Sequence, residues 1–318
     1  MSRRRRPSGI ILKALLPIML LLTLVVGGAG VWVTRSAVHP PHQAYLITPE
    51  KFSQMSDRGL QATNETWTNA DGTTARGWLL RGTAGAPAIV LLHAYGADRS
   101  WLLNLGVKLN EATNYTVLWP DLRGHGENPL VEWTSFGTRE ADDVQAAIKH
   151  LRSLRTPQGS RLVGEATGLY GVGLGAYAAL RAAPGVEGVR ALVLDSVPTG
   201  PDDVLRAAVR TRTGMENSLL QFIARGGARL YFLGDYENTP ACDAAARPND
   251  QHVLLLSGED AGNLRDSTVA LAQCFPNPSS VEVKSDLPLT GLNLASAPGE
   301  QGEAYDRVVI DFFDRTLR

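Results

Sequence analysis

Gly168–Tyr177, read GLYGVGLGAY, is the stretch that decides how the chain folds. Its first half, Gly168–Val172, is short and apolar, the pattern of a strand covered on both faces. Its second half crowds Gly171, Gly173 and Gly175 into five positions and then enters the apolar helix pattern Ala176–Ala183. Glycines so spaced let backbone approach backbone where a strand turns sharply into a helix. Strand, tight turn and helix are the unit from which parallel sheets are wound.

The unit recurs on both sides. Ala88–His93 (AIVLLH), Tyr115–Pro120 (YTVLWP), Ala191–Ser196 (ALVLDS) and His252–Ser257 (HVLLLS) are further apolar runs of strand length, and Val281–Lys284 is the last. Helices are expected over Ser100–Asn110, over Arg139–Leu154 with its acidic start and basic end, and over Glu303–Leu317. The last would turn Tyr305, Val308, Val309, Phe312 and Phe313 inward. At the front, Gln61–Asn69 and Thr74–Arg81 flank Asp71-Gly72, a strong hairpin signal. The expected fold is α/β: a mostly parallel sheet opened by an antiparallel hairpin, with helices on both faces, built from residues 61–196 and 251–318. Residues 197–250 break the rhythm. They read as mostly helical and are expected to form a small cap over the carboxyl edge of the sheet.

Before the fold lies a different kind of sequence. Arg3–Arg6 and Lys13 precede Ala14–Val33, 20 residues without a charge, which as a helix span about 30 Å, the thickness of a bilayer's hydrocarbon core. A buried core helix of that length would show a polar face, and this one has none. A cleaved signal peptide also begins with basic residues, but its apolar region is shorter, and no small-x-small cleavage site follows here. The expectation is a single-pass anchor over residues 14–34, a cytoplasmic basic tail over 1–13, a juxtamembrane linker over 35–60, and an extracytoplasmic (periplasmic or extracellular) globular domain. The whole chain, 44% hydrophobic with a formal net charge of −1, offers no basic field to a nucleic acid. Cys242 and Cys274 flank an expected strand and its return helix, which brings them to one edge of the sheet. They are either paired or two buried thiols.

Four segments in order carry a family resemblance: His93-Ala94-Tyr95-Gly96 after a strand, PDLRGHGEN at Pro120–Asn128, GVGLGAY at Gly171–Tyr177, and SGEDAG at Ser257–Gly262. With them the chain, over roughly Gln61–Leu317, resembles the α/β-hydrolase superfamily, in its serine-aminopeptidase-like and dipeptidyl-peptidase-like esterase branch. The resemblance implies a nucleophile elbow, G-x-S-x-G, whose serine stands above the sheet. Here the elbow is Gly171-Val172-Gly173-Leu174-Gly175, and Gly173 has nothing with which to attack a carbonyl. The resemblance implies an acid at the position of Ala261; Asp260 and Asp195 are the conceivable substitutes. It implies a histidine between Ser285 and Gly302, and there is none. It also implies an oxyanion hole from the main-chain amides of Tyr95 and Leu174, which no side-chain change removes.

Three readings follow. In the first, the domain is catalytically inactive and acts as a binding or interaction module for a ligand or protein still to be identified. In the second, it is a serine hydrolase acting on esters or amides with rearranged residues: Ser257 or Ser196 as nucleophile, Asp260 or Asp195 as acid, His93 or His125 as base. In the third, it is a scaffold for oligomerisation beside a membrane partner. No cofactor or metal is expected, because His39 and His42 are separated by Pro40-Pro41, which forbids the helix that would bring them together.

Overall fold

Five apolar runs, whose buried stretches hold a single carboxylate at Asp195, cannot each find a polar face, so they stack side by side and are covered from above and below. The computed structural model describes residues 8–318 apart from 57–58, 234–235, 248–249 and 295–298. Strands β1 (Ala62–Thr68), β2 (Thr74–Leu80), β3 (Ala88–Leu92), β4 (Thr116–Pro120), β5 (Thr167–Val172), β6 (Val189–Asp195), β7 (His252–Leu256) and β8 (Val281–Lys284) form one sheet in the order β1-β2-β4-β3-β5-β6-β7-β8. β2 pairs antiparallel with both β1 and β4, and every pairing from β4 onward is parallel. The hairpin turns at Asp71-Gly72, where Gly72 has φ +82°.

Helices α3 (Leu103–Thr113) and α10 (Glu300–Leu317) pack on one face of the sheet, the latter through Tyr305, Val309, Phe312 and Phe313, with Val308 half-buried. α4 (Thr138–Ser153) and α5 (Leu174–Ala182) cover the other face. The start of α4 is fixed by Glu140, whose buried carboxylate accepts from the Thr134 and Ser135 hydroxyls and the Ser135 and Gly137 amides. Between β6 and β7 lie only helices among the described residues: α6 (Pro201–Thr213), α7 (Ser218–Phe232) and the short α8 (Ala241–Ala245). After β7, α9 (Leu264–Leu271) returns beside the sheet. Cys242 and Cys274 form a disulfide with 5.2 Å between Cα atoms, tying α8 to the end of α9.

The first helix, α1 (Ser8–Val38), differs from the expected anchor at its C-terminal end. It continues past residue 34, and α2 (Pro49–Ser56) interrupts what reads as a linker. Val33, Ala37 and Val38 extend the apolar pattern, and Pro40-Pro41 then stops the helix. Those three residues are buried in the main core, whereas Leu15–Val26 stand bare. The 24 residues Leu15–Val38 are long and apolar enough to cross a membrane. Arg212 of α6 donates to the carbonyls of Ser36 and His39, satisfying the helix's open C-terminus.

Candidate functional site

The elbow forms because β5 must reverse into α5 in a single residue. That residue, Gly173, has φ +53° and ψ −112°, its amide donates to the Asp195 carbonyl at 2.9 Å, and its carbonyl receives the Tyr177 amide at 3.0 Å. Side chains at the flanking glycines would run into main chain: at Gly171 into Gly175 and Ala176, at Gly175 into Leu92 and His93. Gly173 is different. A Cβ there would meet the Ala94 Cβ at 3.7 Å and the Leu292 Cδ2 at 3.8 Å, ordinary van der Waals distances. Crowding therefore fixes Gly171 and Gly175 as glycine, and only the backbone angles favour glycine at 173.

Leu292 reaches the elbow from the loop between β8 and α10, the loop in which a histidine was expected. A buried carboxylate fastens that loop. Asp195 accepts from the Gly291 amide (2.6 Å), the Tyr305 hydroxyl (2.5 Å) and the Ser196 hydroxyl (2.7 Å), and Tyr305 is in turn 2.8 Å from the Tyr170 hydroxyl. Burial pushes the Asp195 carboxyl up to about 6, with the three hydrogen bonds opposing. Next to Leu292, the Asn293 amide donates to Asp260. Ala261 is buried and apolar, so the carboxylate that meets this loop after β7 is Asp260. No motif in the sequence marks Leu292 and Asn293 as site residues; their position in the GLNLAS run before α10 is the available signal.

The other sequence candidates are engaged elsewhere. Ser196 is buried and gives its hydroxyl to Asp195. Ser257 is buried and gives its own to the Arg265 carbonyl. His93 accepts the Leu122 amide at Nε2 (3.0 Å), so Nδ1, 2.8 Å from the Ala94 carbonyl, carries the proton. His125 donates from Nδ1 to the Arg123 carbonyl. Burial lowers both imidazoles, His125 to about 3, so both are neutral near pH 7. Among these candidates no pair resembling a hydroxyl nucleophile held by a free imidazole results.

Of the two expected oxyanion donors, Leu174 is the first residue of α5, where the amide has no partner within the helix. Tyr95 follows Ala94, whose methyl faces the elbow. The Tyr95 hydroxyl, however, donates to the Ala37 carbonyl at the end of α1 (2.8 Å), and its ring lies against Phe136 and His125. Phe136 also meets Phe232 of α7 and Tyr236, and Trp133 meets Phe232. The Tyr177 hydroxyl on α5 donates to Thr239. The carboxyl edge of the sheet is thus packed by aromatic rings, the cap and the last turn of α1. Among the described residues no cluster of histidine, cysteine and carboxylate side chains could hold a metal ion.

Comparison with known proteins agrees with the fold. The family model described as the alpha/beta hydrolase family matches residues 89–298. No curated protein matches the chain in sequence. Among solved structures, an esterase from Pyrococcus furiosus superposes with a TM-score of 0.63 at 19% identity, covering 88% of this chain and 98% of that one. The acylaminoacyl peptidase of Pyrococcus horikoshii gives 0.59 at 14% identity, covering 86% of this chain and 44% of that one. A hyperthermophilic esterase from Pyrobaculum calidifontis gives 0.55 at 13% identity, with 91% and 90% covered. At such identities the likeness is one of fold.

Proposed function

The chain belongs to the α/β-hydrolase family, and we propose that it has kept the family's fold without its hydrolysis, serving as a membrane-anchored, extracytoplasmic binding or interaction module. One observation carries this: the elbow residue is Gly173, and the loop beside it presents Leu292 and Asn293 where catalysis needs an imidazole. Removing a triad nucleophile costs about 10⁶ in kcat, after which losing the other members changes little. Amide donors alone leave roughly 10³–10⁴ over water. An asparagine amide bonded to Asp260 cannot take a proton from water or substrate, so the loop supplies no imidazole or other general base in the histidine's place.

The anchor reading is supported by the bare, apolar length of α1 and by the arginines before it, which the positive-inside rule keeps in the cytoplasm. Exported as expected, the domain would meet an oxidising compartment suited to the Cys242–Cys274 bridge. With the elbow covered by Leu292 and the aromatic packing, recognition falls to the outer surface of the cap and core. The test is enzymatic. The full chain in detergent should not hydrolyse p-nitrophenyl esters above a denatured control, and a fluorophosphonate probe should label no serine. Covalent labelling of Ser196, Ser257 or any other serine would overturn the proposal.

A further inference from the structure

Helix α7 carries a stripe of large apolar side chains that the fold leaves uncovered. Ala224, Ala228 and Phe232 face inward. Leu219 and Phe222 stand 63% and 67% exposed, and Met215, just before the helix, is 53% exposed. Soluble surfaces seldom leave such residues side by side without a partner.

The packing of α7 on α1 says where this stripe lies. Ile223 sits against Gly30, Gly227 against Thr34, and the Tyr231 ring lies 6.2 Å from His39. Residue numbers rise together along both helices, so α7 runs parallel to α1 in constant register. Small residues at Gly30 and Gly227 allow this close approach. On that register Arg225 is level with Trp32, which is itself exposed, and Phe222 and Leu219 are level with Ala29 and Val26. The uncharged run Ala14–Val33 would rise about 30 Å at ~1.5 Å per residue, matching the ~30 Å of hydrocarbon in a bilayer. Its outer turns, and the α6–α7 tip beside them, then fall at the outer boundary of the membrane.

We infer that the tip of the α6–α7 hairpin docks in the outer leaflet beside the anchor, with Met215, Leu219 and Phe222 at the acyl boundary. The inference rests on the reading of α1 as a membrane anchor. The occupant is lipid because the stripe is continuous with the bare face of α1 and is flanked by the residue types that favour an interface: Trp32, and the arginines Arg210 and Arg225. Those arginines also hold Glu216 and Asp202 in ion pairs at 2.8 and 3.4 Å, which keeps the acidic groups of the tip paired at that depth. In this arrangement the cap is seated on the membrane by two helices, which fixes the orientation of the domain above it.

The test uses the full chain with its disulfide intact, carrying one added cysteine labelled with the environment-sensitive fluorophore NBD. It is reconstituted in phosphatidylcholine–phosphatidylglycerol vesicles that contain nitroxide-bearing lipids. Leu24→Cys reports the anchor, Phe222→Cys and Leu219→Cys report the tip, and Lys149→Cys on α4 is the exposed reference. Lipid-borne nitroxide should quench labels at 222 and 219 at least about twofold more than at 149. Quenching at 24 but not at 222 or 219 would overturn this inference and leave the anchor standing. No quenching at 24 would remove the anchor reading and this inference together. Labels at 222 and 219 shielded from both aqueous and lipid-borne quenchers would mean that protein, such as a second copy of the chain, covers the stripe instead.

Discussion

Giving Gly173 a side chain separates the two reasons for a glycine there. In Gly173→Ala the new methyl meets Ala94 and Leu292 at 3.7 and 3.8 Å, so packing raises no objection. The backbone does, because φ +53° with ψ −112° is a conformation that side-chain-bearing residues rarely hold; such strain costs about 1–3 kcal/mol. The loss of glycine's freedom in the unfolded chain returns about 0.4–1 kcal/mol. The net expectation is destabilisation by about 1–2 kcal/mol, or roughly 2–8 °C in Tm for a domain of this size. Gly173→Ser adds the burial of a hydroxyl with no base to receive its proton, a further cost on the order of 1–2 kcal/mol when unbonded. Calorimetry of wild type, Gly173→Ala and Gly173→Ser measures both steps, and fluorophosphonate labelling of Gly173→Ser reads the chemistry. The serine variant should fold, melt lower than the alanine variant, and remain unlabelled. An alanine variant as stable as wild type would refute the strain argument. Rapid labelling of Gly173→Ser alone would refute the claim that the loop supplies no base.

Introducing Asn293→His into the Gly173→Ser background places an imidazole on the loop that touches the elbow, within reach of Asp260. Fluorophosphonate labelling of this double variant should exceed that of Gly173→Ser; equal labelling would place the Asp260–Asn293 pair outside the catalytic geometry. Asp195 predicts a pH dependence. The unfolded carboxyl loses its proton near its ordinary value and the folded one near 6, so the folded state holds the extra proton between them and stability falls as pH rises through that window. Relative to Asp195→Asn, wild type should lose about 2 kcal/mol between pH 4 and pH 7 in denaturant titrations; parallel profiles would show that Asp195 ionises normally. Cys242 and Cys274 are 32 residues apart, and closing a loop of that length stabilises by about 4 kcal/mol in the chain-entropy account. Reduction should therefore lower Tm by roughly 7–15 °C, and an unchanged melt after verified reduction would count against it.

The fold was legible because its decisive signals are local. Apolar runs such as AIVLLH and HVLLLS exclude any one-sided environment, Asp71-Gly72 fixes the hairpin, and strand edges fell within two residues of their expected positions. The elbow was legible as well, since three glycines at alternate positions have little other use at the end of a strand. What took the place of the missing histidine was not. Leu292 and Asn293 have no motif of their own, and they gain meaning only because Asp195, 97 positions before Leu292 in the sequence, holds Gly291 and brings the loop onto the elbow. The same applies to α1. Its composition announces a membrane-spanning length, but the burial of Val33, Ala37 and Val38 depends on Gly227 letting α7 come close.

Sequence by itself determined the sheet, its glycine turn and the absence of a nucleophile at Gly173, because each depends on residue types within a few positions of one another. Tertiary structure decided what covers the elbow, which carboxylate meets the loop after β8, and how the first helix seats on the cap. Those outcomes turn on contacts between segments far apart in the chain, where the energy comes from close packing and buried hydrogen bonds that no local pattern records.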